Sequence, residues 1–133
     1  MVSRFVPVSS VKFEIYIPTT WLDRGDPALT PHPIPMTELI RYLDDMTAKY
    51  KRDGGYTVSS PYGPPPFAGG YQGGPQERSY WAILIIPEHL LNQADQDVQE
   101  MVAFFQDKYQ QLEILAHRYH VYRYMPVSPE QSP

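Results

Sequence analysis

The chain has 133 residues, a formal net charge of −4 and no cysteine. Its length suits one domain, and its 42% hydrophobic residues supply a core. The lack of cysteine excludes disulfides and thiolate metal sites, and the negative charge argues against nucleic acid as a partner. We expect one domain over residues 1–125 and a disordered tail over residues 126–133. No secretory or membrane-spanning segment is recognisable, so we expect a cytoplasmic protein without a membrane partner.

The first half of the chain predicts a strand, a rigid loop, a helix and a short strand. Residues 11–17 alternate apolar and polar side chains, the pattern of a half-buried strand. Residues 18–35 are rich in proline, which favours a rigid loop anchored by Trp21 and Leu22. Thr37 is a candidate cap for a helix that ends before Gly54 and Gly55. The apolar stripe of this helix contains Leu39, Leu43, Met46 and Tyr50. Residues 56–59 favour a short strand.

The second half predicts a long loop, a central strand, a helix and a last strand. Residues 60–76 consist mostly of proline and glycine, so we expect no regular element there. Residues 79–86 form the most apolar stretch and predict a central strand. Asp95 and Asp97 are candidate caps for a second amphipathic helix, which we expect to stop near Gln111. Residues 113–124 favour extended chain.

The element order is strand, helix, strand, strand, helix, strand. Over residues 11–124 the chain therefore resembles the ferredoxin-like α/β plait, an α+β fold in which two helices cover one face of an antiparallel sheet. The long Pro/Gly-rich loop falls between strands two and three. Signalling proteins of the PII type carry their effector loop at the same place, so the topology is similar to theirs, although none of their sequence motifs is present.

Two segments are candidate ligand sites. In the 60–76 loop, Tyr62, Phe67 and Tyr71 are able to close over a ligand or partner, or alternatively to pin the loop to the surface. In the last strand, Arg118 and Arg123 alternate with tyrosines, a composition that suits an anionic or aromatic ligand. The same composition suits an edge strand or an interface between protomers.

No recognisable catalytic motif occurs, and we expect neither a cofactor nor a metal. His117 and His120 have the spacing of a helical metal pair, but in a strand they point to opposite faces.

We therefore expect a non-enzymatic, regulatory binding module that forms a homodimer or homotrimer and engages a small molecule or protein. The alternative is a small enzyme of the dimeric α/β-barrel type, with Tyr16, Tyr80 and His117 as the first candidate residues. An RNA-binding plait would require a basic sheet face.

Overall fold

The described residues form an α+β structure with two α-helices and a main antiparallel path of four strands. The computed structural model describes residues 4–50, 55–59, 68–69 and 77–127. The strands are β1 (Phe5–Pro18), β2 (Thr20–Leu22), β3 (Pro31–Pro33), β4 (Gly55–Ser59), β5 (Ala68–Gly69), β6 (Glu77–Pro87) and β7 (Ala116–Pro126). The helices are α1 (Met36–Lys49) and α2 (Leu91–Lys108), and a 3₁₀ turn (Glu88–Leu90) leads into α2. No described helix is long and apolar enough to cross a bilayer.

The main sheet has the strand order β4-β6-β1-β7, and every neighbouring pair is antiparallel. Strand β1 is longer than the predicted 11–17 because its first residues pair with β7 alone. The β1–β6 ladder starts at Ser10, opposite Pro87, whereas the β1–β7 ladder already starts at Phe5, opposite Pro126. Residues 5–9 and 122–126 thus form a two-stranded ribbon that extends beyond the central sheet. We call it the β1/β7 ribbon.

The core lies between one face of the sheet and the two helices. Alternate side chains of β1 and β6 point into it, as period-two strands require. The predicted stripe of α1 is buried, and α2 contributes to the same core cluster. Its members from these four elements include Phe13, Ile15, Ile17, Leu39, Leu43, Met46, Ala82, Leu84, Ile86, Val98, Met101 and Phe105. The opposite side of the sheet carries no described helix, and we call it the open sheet face.

Both helices start before the predicted caps. Helix α1 begins at Met36 with Pro35 at the N-cap, and Thr37 lies in its first turn. Helix α2 begins at Leu91 because the 3₁₀ turn runs directly into it. Asp97 therefore lies inside α2, where its buried carboxylate bonds to α1 instead of capping the helix.

The proline-rich segment contains the two-stranded β2–β3 sheet, in which Trp21 pairs with His32. Trp21 packs at 5.8 Å from Tyr109 between ring centroids, so it anchors this segment as predicted. Leu22, the other predicted anchor, is exposed.

Within the predicted 60–76 loop, β5 pairs with the start of β6, so a short regular element does occur there. The predicted tail starts at residue 126, which is the last residue of β7.

Candidate functional site

The two predicted ligand-binding arginines lie on opposite faces of β7. Arg118 stands opposite Phe13, whose side chain belongs to the core, so Arg118 is on the helix side of the sheet. Arg123 stands opposite Val8 and donates a 3.2 Å hydrogen bond to the Ser10 hydroxyl on the open sheet face. Positions five apart in a strand point in opposite directions. The structure therefore does not bring the two guanidinium groups into one site.

A groove of about 330 Å³ lies between α2 and β7, and Arg118 stands at its rim. We call it the α2/β7 groove. Much of its lining is apolar, contributed by Phe13, Val98, Val102, Ala103 and Ala116. The volume lies in the range of small-molecule sites, which combine an apolar lining with a few placed polar groups. The sequence singled out Arg118 but not the groove, because Val98 and Val102, which line it, belong to the same stripe of α2 that packs the core.

The polar rim of the groove is an ion pair. Arg118 Nη1 donates to Asp95 Oδ1 at 2.9 Å, and Asp95 Oδ2 accepts a 2.8 Å hydrogen bond from Gln99. The side chains of Arg118 and Asp95 are 52% and 36% exposed. An exposed pair of this kind contributes little to stability, whereas a guanidinium can hold a carboxylate through two parallel hydrogen bonds. The rim is therefore a place where an incoming carboxylate can compete with Asp95.

The open sheet face carries a second cluster, centred on Tyr16. The Tyr16 ring is parallel to that of Trp81 with centroids 6.2 Å apart, and it meets the His117 ring edge-on at 6.0 Å. Glu14 forms a 2.9 Å ion pair with Lys12 on the same face. Burial, followed by the nearby Glu14 carboxylate, raises the pKa of Tyr16 above its ordinary value. Its hydroxyl is thus a hydrogen-bond donor at neutral pH and not a base.

Tyr80 lies on the other face of the sheet from Tyr16 and His117. It lies in the core on the helix side of the sheet, where its hydroxyl donates a 2.9 Å hydrogen bond to the Ile34 carbonyl. That bond ties the end of the proline-rich segment to β6. Of the three residues named for an enzyme site, the structure brings Tyr16 and His117 together and leaves Tyr80 apart.

A third polar cluster, which no sequence pattern predicted, joins Ser9, Glu88 and His120. The Ser9 hydroxyl donates to Glu88 Oε2 at 2.5 Å and lies 2.6 Å from His120 Nε2. A hydroxyl has one proton, so donation to Glu88 leaves its oxygen to accept from the imidazole. A serine nucleophile needs the reverse, with the histidine accepting the hydroxyl proton. These residues come from three separate elements, and no local spacing connects them.

The two closely spaced histidines do not form a metal pair. His117 stands opposite Glu14 on the open sheet face, and His120 stands opposite Val11 on the helix side. Within the described ranges, no group of three or more candidate ligands is positioned to hold a metal ion. Tyr62, Phe67 and Tyr71 lie outside the described residues, so their role stays a prediction.

No protein-family model and no curated protein matches this chain. Among solved structures, the chain is similar to a phage SAM lyase in its apo state, with a TM-score of 0.45 and 11% sequence identity. The match covers 96% of this chain and 96% of that one. Similarity at this level carries no argument about fold or activity.

Proposed function

We propose that this protein is a non-enzymatic, homo-oligomeric binding module with regulatory function, built on a ferredoxin-like plait, and that it binds an apolar carboxylate in the α2/β7 groove. The strand order supports the plait. Helix α1 connects β1 and β4, which are separated by β6, and α2 connects β6 and β7, which are separated by β1. Two such split βαβ units define the ferredoxin-like topology.

The observation that carries the proposal is the position of Arg118 at the rim of an apolar groove. The groove offers a ligand apolar contacts along α2 and β7, and the guanidinium offers one charged anchor. Only the Nη1 nitrogen of Arg118 bonds to Asp95, so the guanidinium group has further N–H donors for a ligand. An apolar chain that ends in one carboxylate matches both features, whereas a neutral head group matches only the apolar part and a cationic head group would have to displace Arg118 from Asp95.

The test is a titration of the ¹⁵N-labelled protein with hexanoate, hexanol and hexylammonium, followed by NMR. Hexanoate should shift the amide signals of Val98, Val102 and Arg118 saturably, with an affinity of about millimolar for so small a ligand. Hexanol and hexylammonium should bind at least about tenfold more weakly, because neither pairs with a guanidinium. Equal binding of hexanol, tighter binding of hexylammonium, or no shift with any of them would contradict the proposal.

Two substitutions at the rim should have opposite effects on hexanoate binding. Arg118→Gln removes the anchor and should weaken binding about tenfold. Asp95→Asn removes the competing carboxylate and should tighten binding several-fold. If the Arg118–Asp95 ion pair had only a structural role, either substitution would weaken hexanoate binding. Arg24→Gln, which changes an exposed arginine between β2 and β3, is the matched control and should leave the affinity unchanged.

The second candidate is an enzyme of the dimeric α/β-barrel type, and the contact between Tyr16 and His117 favours it. An enzyme that used Tyr16 as a base would need its phenol to ionise near neutral pH. The raised pKa of Tyr16 opposes that use. An ultraviolet titration that compares the native protein with Tyr16→Phe decides the question: ionisation of Tyr16 above pH 10 rejects the base role, and ionisation well below pH 10 supports it.

A further inference from the structure

The outer edge of β7 is long and carries main-chain groups that point away from the sheet. Strand β7 is the last strand in the sheet order, and no described strand pairs with its outer side. The Tyr16 N–H donates to the Leu115 carbonyl and the Val127 N–H to the Arg4 carbonyl, each at 2.9 Å. In an antiparallel ladder, directly bonded pairs alternate with non-bonded pairs. The odd-numbered residues of β7 therefore bond to β1, and the even-numbered residues direct N–H and C=O outward.

The side chains at equal distances on either side of Val121 in β7 are complementary in type. Counting outward from this residue, His120 corresponds to Tyr122, Tyr119 to Arg123, and Arg118 to Tyr124. If two copies of the strand run antiparallel with Val121 opposite Val121, each arginine faces a tyrosine and each His120 faces a Tyr122. Arginine over an aromatic ring and aromatic pairs across strands are favourable, and no like charges meet.

We propose that β7 pairs with β7 of a second copy of this chain, antiparallel and with Val121 on the two-fold axis. The even-numbered residues meet one another in this register, so their outward groups form about ten main-chain hydrogen bonds. The interface is self-complementary, as a two-fold dimer requires. It also brings three exposed tyrosines, Tyr119, Tyr122 and Tyr124, into the interface.

The β1/β7 ribbon gives this pairing a further consequence. In the proposed register, the ribbon of one copy lies beside residues 116–120 of the other, next to its α2. Tyr124, a residue that is 73% exposed, then stands opposite Arg118 of the second copy on the helix side of the sheet. An isolated two-stranded ribbon is marginally stable, and a neighbouring sheet supports it. Each copy thus contributes an aromatic side chain to the rim of the other copy's α2/β7 groove.

The test uses single cysteines, since the native chain has none. In the proposed dimer, the Val121 residues form a non-hydrogen-bonded pair with about 4.5 Å between Cα atoms, which lies within the range that a disulfide spans. Val121→Cys should therefore form a covalent dimer almost completely under mild oxidation, without ligand. Tyr119→Cys is the matched control on the same strand face. Its cysteine faces Arg123 of the second copy and should cross-link at least about tenfold more slowly, because its own counterpart is about 13 Å away.

Light scattering of the native protein completes the experiment and should give twice the 15.4 kDa mass of one chain. A native monomer overturns both the edge pairing and the homo-oligomeric part of the proposed function, on which this inference rests. A native dimer whose Val121→Cys variant fails to cross-link, or whose Tyr119→Cys variant cross-links equally fast, overturns the edge pairing alone. Neither result affects the ligand proposal, which the hexanoate titration tests separately.

Discussion

The hydroxyl of Tyr50, at the C-cap of α1, donates a 2.6 Å hydrogen bond to the carboxylate of Asp97 inside α2. Asp97 is only 6% exposed, yet it also accepts from Gln93 at 3.0 Å and from Lys49 at 3.3 Å. A buried carboxylate is tolerated only when donors replace the water that it has lost. This cluster fixes the end of α1 against α2.

Replacement of Asp97 by alanine should lower the free energy of unfolding by about 2–3 kcal/mol, because the buried Tyr50 hydroxyl then has no acceptor from this carboxylate. Asp97→Asn keeps an acceptor oxygen and should cost about 1 kcal/mol. Urea unfolding of both variants measures the difference. Equal losses for the two variants would show that the hydrogen bond from Tyr50 does not govern the effect.

Alkaline stability should depend on Tyr50 and Tyr109. Burial, followed by a hydrogen bond to a carboxylate, raises the pKa of each above the ordinary value of 10.0. The acceptors are Asp97 for Tyr50 and Glu38 for Tyr109. Above pH 10 the unfolded chain loses the phenolic protons while the folded chain retains them, so the stability present below pH 10 is lost as the pH rises. Urea unfolding at several pH values checks this, and Tyr50→Phe and Tyr109→Phe should each show a shallower decline than the native protein.

The sequence predicted the elements that have strong periodicity. The alternation in β1 and the apolar stripe that contains Leu39, Leu43 and Met46 both correspond to buried faces. The starts of the helices were not predictable from caps, because Pro35 precedes α1 without a side-chain bond and a 3₁₀ turn starts α2. The ends of β1 and β7 depend on their mutual pairing, which residues 5–9 and 122–126 do not reveal locally.

The candidate site was predictable only one residue at a time. Arg118 stood out as a cation among tyrosines, but its face and its partner Asp95 depend on how α2 packs over β7. The grouping of Tyr16 with His117, and its separation from Tyr80, depends on the pairing of β1 with both neighbours. Such contacts join residues far apart in the chain, and composition or spacing does not determine them.

Glu38 should make the protein sensitive to acid. Burial would raise its pKa, but hydrogen bonds from Lys108 and Tyr109 outweigh this effect and hold the pKa below the ordinary value of 4.5. A carboxyl with a lowered pKa stabilises the fold above pH 4.5, and that stability is lost as the pH falls through the folded-state pKa.

Glu38→Gln should therefore reduce the fall in stability between about pH 5 and pH 3 while costing about 1 kcal/mol at pH 7. Glu100→Gln, at an exposed position of α2, is the control. Urea unfolding at pH 3, 5 and 7 distinguishes the two variants. If the free energy of unfolding of Glu38→Gln fell between pH 5 and pH 3 as much as that of the native protein, other carboxyl groups would cause the acid sensitivity.

Leu29 offers a stabilising substitution. Its φ of 47° lies in the left-handed region, which costs a residue with a Cβ about 1–2 kcal/mol, and the residue is 51% exposed. Glycine adopts this conformation without that cost, although it loses more backbone entropy on folding. Leu29→Gly should therefore raise the free energy of unfolding by about 0.5–1 kcal/mol, as measured by urea denaturation.

Leu112→Gly, at an exposed leucine with no positive φ, should instead lower the free energy of unfolding by about 0.5–1 kcal/mol. A loss of stability in both variants would mean that the side chain of Leu29 contributes more than its backbone conformation costs.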